Sequence, residues 1–331
     1  MSYFKLLRPA TAAAGRLAGS STRSSGYMSR QTQTHAQGVR HHSSSVSANE
    51  LSHFSGLANS WWDPMGPSRV LHLMNPTRHD FIASCISESE PQTTGRSRPG
   101  LRYLDVGCGG GIFAESLART LPSSKSASAG LHPRTKARSI VAIDPSTSLI
   151  KIARDHASND PAVFEHLQSG AFSYENTTIE SLSQSHGDKL FDVITLFEVI
   201  EHVDPHTSSS FLTHCLKLLQ PGGWLIGSTI ARTIPSFIVN KMVAEAPWPI
   251  GVVPWGTHEW SKFVNAGELR GWVEEGLMRA ADGAAYRAGG EALVGMKWKV
   301  AGVVYVPGLG WKMVNGGEDW GNYFWAVQKG V

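Results

Sequence analysis

A run of glycines directly after an acidic residue is the feature that most limits how this chain can fold. The sequence from Leu104 to Gly111 reads Leu-Asp-Val-Gly-Cys-Gly-Gly-Gly. It follows a short apolar stretch and precedes a helical pattern at residues 113–121. Glycines at such a junction let the backbone turn sharply and come close to a ligand, because they have no Cβ atom. The stretch therefore predicts a strand, a ligand-binding turn and a helix in succession.

The spacing of these glycines narrows the class of ligand. A dinucleotide fingerprint would need a third glycine where Ile112 stands, and the Gly-Lys-Ser/Thr of a phosphate-binding loop is absent. Asp105, just before the glycines, suits a cationic ligand better than a pyrophosphate. The pattern resembles the first motif of the S-adenosylmethionine-dependent methyltransferases, which makes Asp105, Gly107 and Gly109 candidate cofactor-binding residues. A glycine-rich turn without a ligand is the alternative.

Composition bounds the rest of the chain. Its 331 residues, 41% of them hydrophobic, are enough for one large α/β domain with appendages. No apolar run approaches the roughly 18 residues that a membrane-spanning helix needs. The three cysteines are widely spaced, which argues against a disulfide framework or a structural zinc site and favours a reducing compartment.

The first 49 residues have an unusual charge pattern. They hold six basic residues and no acidic one, and they are rich in serine, alanine and glycine. This is typical of an organelle transit peptide, so we expect a disordered mitochondrial leader at residues 1–48 and the folded domain at 49–331. A disordered basic tail is the alternative. The formal net charge of the whole chain is +3, so without these six positive charges the rest of the chain has a net charge of about −3. This weakly acidic balance counts against a nucleic-acid partner.

Alternating strand and helix patterns define the expected fold class. They predict an α/β domain with a doubly wound, mostly parallel sheet, whose ligands lie at the carboxyl ends of the strands. The predicted parallel strands are residues 102–106, 139–143, 172–178, 191–197 and 224–227.

Other elements surround this predicted sheet. Residues 297–305 and 323–328 predict a closing antiparallel pair, and residues 70–74 and 78–86 predict two N-terminal helical pieces separated by Asn75-Pro76. Asn265 followed by Glu268 predicts a capping box for a further helix. Residues 122–138 indicate a surface insertion.

Asp144 ends the second predicted strand. Its two carboxylate oxygens match the vicinal diol of a ribose, a geometry that NAD enzymes and methyltransferases share. An exposed helix-cap carboxylate before Pro145 is the alternative interpretation.

A second polar cluster begins where the fourth predicted strand ends. Glu198, Glu201 and His202 would share one face if a helical turn started at Glu198. Two carboxylates suit a divalent cation such as Mg²⁺, and the imidazole would shift preference toward transition ions. The alternative is a polar cleft in which His202 acts as a general base without a metal.

Residues 235–254 are mostly apolar but too polar and proline-broken to cross a bilayer. They predict either a segment that lies in a membrane interface, with Trp248 at headgroup depth, or a lid over the active site.

Six motifs occur in an order that resembles the ubiquinone biosynthesis O-methyltransferases. The resemblance covers roughly residues 51–329 apart from the insertion. The motifs are Trp61-Trp62-Asp63, Asn75-Pro76-Thr77-Arg78, residues 104–112, residues 198–202, residues 217–223 and residues 256–260.

The resemblance implies an enzyme that uses S-adenosylmethionine and a divalent cation. Its substrates would be polyprenylated catechols, namely 3,4-dihydroxy-5-polyprenylbenzoate and demethylubiquinol. The family's cofactor contacts fall on Arg78, Gly107, Asp144 and Phe197. Its cation ligands fall on Glu198, Glu201 and His202, which are also the expected catalytic residues; some relatives carry methionine where this chain has Phe197.

The resemblance also implies a location and partners. We expect peripheral attachment to the matrix face of the mitochondrial inner membrane through residues 235–254, and a complex with other ubiquinone-biosynthesis proteins. Two alternatives stay open at this point: an NAD-dependent oxidoreductase, and a catalytically silent methyltransferase-like subunit of a biosynthetic complex.

Overall fold

The computed structural model describes most of the predicted domain. The described residues are 45, 60–66, 68–89, 100–123, 130–185, 187, 190–238, 245, 259–281 and 291–331. The predicted leader, apart from Ser45, lies outside them, as do residues 124–129 of the insertion and Trp248.

One mixed sheet organises the described residues. Its strands are β1 (Leu101–Val106), β2 (Ala137–Asp144), β3 (Phe172–Asn176), β4 (Phe191–Phe197), β5 (Leu219–Ile230), β6 (Lys297–Val306), β7 (Gly310–Val314) and β8 (Asn322–Gln328). The order is β3-β2-β1-β4-β5-β8-β6-β7. The first five strands in this order are parallel, and β8, β6 and β7 are antiparallel to their neighbours. The predicted doubly wound, mostly parallel α/β sheet is confirmed, with β7 as an additional edge strand.

Helices cover both faces of the sheet. They are α1 (Arg69–Ser87), α2 (Ile112–Ala118), α3 (Thr147–Ala157), α4 (Pro161–Ser169), α5 (Ile179–Ser185), α6 (Ser208–Leu218), α7 (Ile234–Ser236) and α8 (Ala266–Ala280), with 3₁₀ turns at Ile200–His202, Trp260–Lys262 and Glu291–Leu293. Helices α1 to α4 pack in one apolar cluster, and α5, α6 and α8 pack in another. Adjacent residues of one strand serve opposite clusters, as Val193 and Ile194 do. This explains why β4 is almost continuously apolar.

The N-terminal helix differs from the prediction. Asn75 and Pro76 lie inside one helix of 19 residues rather than between two pieces. Pro76 is exposed. The side-chain amide of Asn75 makes two hydrogen bonds: its Nδ2 donates to the Ile112 carbonyl (3.0 Å), and its Oδ1 accepts from Arg78 Nη1 (3.0 Å). Proline removes one backbone hydrogen bond, and packing on the sheet holds the helix together across that gap.

The predicted capping box at α8 is wrong. Asn265 stands at the N-cap position but makes no side-chain capping bond. Its Oδ1 instead accepts from the Arg232 backbone N–H (2.8 Å), and Glu268 Oε2 accepts from Arg232 Nη2 (2.7 Å). The two side chains therefore tie α8 to the segment that follows β5.

Candidate cofactor and active site

The carboxyl ends of β1 and β4 place a buried acid beside the glycine loop. Asp105 lies opposite Thr195 in the sheet, and its Oδ1 accepts a hydrogen bond of 2.6 Å from Thr195 Oγ1. Its Oδ2 is buried without a hydrogen-bond partner. Burial raises the pKa of Asp105 to about 7, although the hydrogen bond from Thr195 opposes this. An unpartnered buried carboxylate oxygen is a position for a ligand donor.

The loop backbone takes conformations that favour glycine. Gly107, Gly109 and Gly111 have φ angles of 71°, 54° and 93°. At Gly107 there is also no room for a side chain, because an added Cβ would lie 2.7 Å from Val199 Cγ2. The predicted tight turn between β1 and α2 is thus confirmed.

Asp144 holds this loop from the neighbouring strand. Its Oδ2 accepts from the Gly109 N–H (3.0 Å), and its Oδ1 accepts from the Ser146 N–H (2.8 Å). The carboxylate is buried, with 7% of the residue exposed, so the alternative of an exposed helix-cap acid is wrong. The side chain of Ser146 caps α3 instead, by accepting from the Leu149 N–H.

Two adjacent tryptophans lie against the glycine loop. Trp62 Nε1 donates to the Gly110 carbonyl (2.8 Å), and its ring stacks on His156 with centroids 3.4 Å apart. An added Cβ on Gly109 would lie 2.6 Å from Trp61 Cζ2. From the sequence, the tryptophan pair was recognisable only as a motif. The available signal was the pair Gly109-Gly110, because two glycines in a row leave room for a bulky ring such as that of Trp61 to pack on the loop.

Arg78 brings a buried cation to the same site. Its guanidinium carbon lies 4.9 Å from the centroid of the Phe197 ring, and its Nη1 donates to Asn75. Its Nε is buried without a hydrogen-bond partner. Burial lowers the pKa of Arg78 to about 10, although the charges of Glu198 and Asp105 oppose this. The structure therefore brings Arg78, Asp105 and Phe197 together, as the sequence indicated.

Glu198 follows β4 in a strained conformation. It is a non-glycine residue with a φ of 56°, and its N–H donates to the Ser228 carbonyl (3.2 Å). Its Oε1 accepts from Ser228 Oγ (2.6 Å). The helical turn covers only Ile200–His202, so the expectation that three side chains share a helical face is wrong. Pairing with β5 holds Glu198 out of the turn. Such strain occurs preferentially at functional sites.

Glu201 is the second acid of this cluster and is buried. Its Oε2 accepts from Thr229 Oγ1 (2.8 Å). Burial raises the pKa of Glu201 to about 8, the charge of Glu198 adds to this rise, and His202 opposes it. The two carboxylates therefore repel each other. Their oxygens, with the imidazole of His202, are the kinds of group that hold a divalent cation. Within the described ranges, no group of three or more His, Cys, Asp or Glu side chains is placed to hold one ion.

Hydroxyl groups at strand ends are the functional partners that sequence reasoning missed. Thr195, Ser228 and Thr229 each bond one of the three acids. The available signal was a polar residue near the carboxyl end of an otherwise apolar strand.

The start of the predicted membrane segment carries exposed apolar side chains. Phe237 and Ile238 are 38% and 47% exposed, and Ile234, directly before the segment, is 76% exposed. Phe237 packs edge-to-face on Trp260, which is itself 37% exposed. Among the described residues, no helix is long and apolar enough to cross a membrane.

Comparison with known proteins identifies the class of enzyme. A methyltransferase domain family model matches residues 74–276. The class is therefore that of the S-adenosylmethionine-dependent methyltransferases, and the expected enzyme class is confirmed. This removes the NAD-dependent oxidoreductase alternative.

Curated relatives define the family more closely. The mitochondrial ubiquinone biosynthesis O-methyltransferase of Candida albicans is 33% identical, over 86% of this chain and 86% of its own length. Those of Schizosaccharomyces pombe and Saccharomyces cerevisiae are 37% and 30% identical, over 70% and 90% of this chain and 72% and 91% of their own lengths. The chain belongs to the ubiquinone biosynthesis O-methyltransferase family.

Proposed function

We propose that this protein methylates a phenolic oxygen of polyprenylated catechols in ubiquinone biosynthesis. The substrates would be 3,4-dihydroxy-5-polyprenylbenzoate and demethylubiquinol. The observation that carries the proposal is a glycine loop flanked by Arg78 and Asp105, each with a buried unpartnered polar atom, in a chain of this family.

The cofactor would be held by complementary charges. Arg78 Nε offers a donor to the carboxylate of S-adenosylmethionine, and Asp105 Oδ2 offers an acceptor to its ammonium group. Asp144 accepts from the ribose hydroxyls, since each of its oxygens keeps a second lone pair beyond its backbone bond. Phe197 provides a flat apolar surface for the adenosyl group. Gly107 and Gly109 allow the close approach of the backbone.

Methyl transfer needs an oxygen nucleophile in line with the carbon–sulfur bond. The catechol oxygen forms a bond to the methyl carbon as the bond to sulfur breaks, and S-adenosylhomocysteine leaves. The phenolic proton must go to a base, and we assign that role to His202 or to one of the glutamates beside it.

Glu198 and Glu201, with His202, are the residues we propose to hold a divalent cation, Mg²⁺ or another. The support is the pair of neighbouring carboxylates: burial raises the pKa of Glu201, the charge of Glu198 adds to this rise, and a bound cation would offset that repulsion. When bound, the ion would lower the pKa of the catechol hydroxyls.

A polyprenylated substrate is confined to a bilayer, so the enzyme must dock there. We propose that residues 235–254 contact the matrix face of the mitochondrial inner membrane, on the support of exposed Phe237 and Ile238. Residues 1–48 would direct import, and other biosynthetic proteins would be partners. Imaging fusions with and without residues 1–48 tests the leader, because equal import of both would exclude it.

Turnover on a short-chain prenylated catechol tests the function. We expect a methyl ether by mass spectrometry, with S-adenosylmethionine consumed in equal amount. A protein that binds S-adenosylhomocysteine but gives no methyl ether under any metal condition would instead be the catalytically silent subunit.

A further inference from the structure

A cavity of about 420 Å³ lies beside the cofactor loop, between α1 and α2. The α1 residues that line it are spaced as one helical face, and so are those from α2 and the turn after it. His132 and Arg134 of the insertion line a further part of the cavity. The lining residues are Trp62, His72, Asn75, Pro76, His79, Ile112, Ser116, Arg119, Thr120, His132 and Arg134.

The ionisable groups that line this cavity are all basic. They are two arginines, Arg119 and Arg134, and three histidines, and the described lining contains no carboxylate. Carboxylates that do not line the cavity pair with both arginines. Arg119 pairs with Glu115 and Asp160, and Arg134 pairs with Asp80. These pairs use only part of the five N–H donors of each guanidinium. The two guanidinium groups therefore keep spare N–H donors.

Two buried histidine nitrogens in the lining lack hydrogen-bond partners. They are Nδ1 of His79 and Nδ1 of His132. His79 is 8% exposed, and its Nε2 lies 2.9 Å from Ser116 Oγ. If Ser116 donates to Nε2, Nδ1 carries the hydrogen and is an unused donor. Burial lowers the pKa of His79 to about 4, and the positive charges around it add to this effect.

We propose that this cavity binds a phosphate group. The lining itself contains no carboxylate, and its guanidinium and imidazole donors match the several acceptor oxygens of a phosphate. His132 and Arg134 belong to the 122–138 insertion, which the family motifs do not include. The insertion would thus complete a ligand site outside the methyl-transfer reaction. The proposal does not depend on the proposed function.

Calorimetry of the full chain with pyrophosphate tests the site. The variant His132→Gln with Arg134→Gln removes the insertion's donors, and Arg134 is 54% exposed, so the fold should tolerate the change. The control Arg102→Gln removes a cation that pairs with Asp192 on β4 and does not line the cavity. We expect the parent and control to bind, and the double variant to bind about tenfold more weakly or less.

A second readout is the imidazole of His79. Its pKa, followed by NMR, should rise when pyrophosphate binds to the parent, because an anion favours the protonated ring. Absence of binding to the parent, or equal affinity of the double variant and the control, would overturn the proposal. Retained binding of S-adenosylhomocysteine by the double variant confirms that it is folded.

Vesicles distinguish the source of the phosphate. Phosphatidylcholine vesicles with and without phosphatidylglycerol are compared for co-sedimentation of the double variant and the control. A loss confined to the double variant and to anionic vesicles assigns the phosphate to a lipid headgroup. Equal co-sedimentation, with pyrophosphate binding intact in the parent, assigns it to a soluble phosphate ester.

Discussion

The backbone N–H of Gly109 donates a hydrogen bond of 3.0 Å to Oδ2 of Asp144. The glycine loop after β1 and the acid that ends β2 are therefore one structural unit. The loop is bound to β2 a second time, because the N–H groups of Gly107 and Cys108 both donate to the Ile143 carbonyl. A change at Asp144 should affect the loop as well as the ribose.

Asp144→Ala should weaken binding of S-adenosylhomocysteine by about 1–3 kcal/mol, because the ribose hydroxyls lose their acceptor. Calorimetry measures the loss. Asp192→Ala is the control, since Asp192 lies on β4 and accepts from Arg102 instead. Unchanged affinity in Asp144→Ala would remove Asp144 from the cofactor site.

Gly107→Ala should destabilise the protein more than Gly170→Ala, by about 1–3 kcal/mol in the free energy of unfolding. Both residues have a positive φ, so both substitutions incur the same kind of backbone strain. Only at Gly107 does the added Cβ meet a neighbour, Val199, whereas Gly170 faces open space. Denaturant unfolding checks the difference, and equal losses would contradict the close packing of the loop.

Glu201→Gln should change how stability depends on pH. The folded-state pKa of about 8 lies above the ordinary value of 4.5. The native state therefore binds an extra proton between these values, and the parent's stability falls as pH rises from 4.5 to about 8.

The variant lacks this loss, so its free energy of unfolding should exceed that of the parent by a few kcal/mol at high pH. Urea unfolding from pH 5 to 9 tests this. Glu274→Gln is the control, because Glu274 pairs with Arg270 on the surface of α8. If the free energy of unfolding depends on pH in the same way in the parent and in Glu201→Gln, burial does not keep Glu201 protonated.

Turnover against pH, with and without EDTA, separates the two roles proposed for the acidic cluster. If a divalent cation holds the catechol, activity is lost with EDTA and returns with Mg²⁺. Glu198→Ala and Glu201→Ala should then be nearly inactive yet still bind S-adenosylhomocysteine. Full activity in EDTA, with a rate that rises with pH through a single ionisation, would assign His202 as the sole base.

Replacement of Phe237 and Ile238 by serine should release the protein from liposomes. Burial of each side chain in the membrane interface contributes about 1.5–3 kcal/mol, so the double variant loses several kcal/mol. Leu309→Ser is the control, because Leu309 is 70% exposed at a distant point of the chain, between β6 and β7. If the double variant co-sediments as the parent does, the segment acts as a lid and not as an anchor.

Most strands and helices could be predicted from the sequence because each has its own local pattern of apolar residues. The apolar run of residues 191–197 matches β4, and the strand predicted at residues 102–106 matches β1. At Pro76 the local signal was misleading. A proline predicts a break, but the contacts of Asn75 and the packing of α1 against the sheet outweigh one missing hydrogen bond.

The sequence alone determined the fold class, the glycine turn and the residue types of the site, since these depend on local spacing and strand order. Only the tertiary structure decided what each acid contacts. It placed Glu198 outside the helical turn by pairing it with Ser228, and it buried Glu201 on Thr229. These partners lie about 30 residues away along the chain, so no local pattern records them. Burial, which sets the charge of each acid, likewise exists only once the sheet has formed.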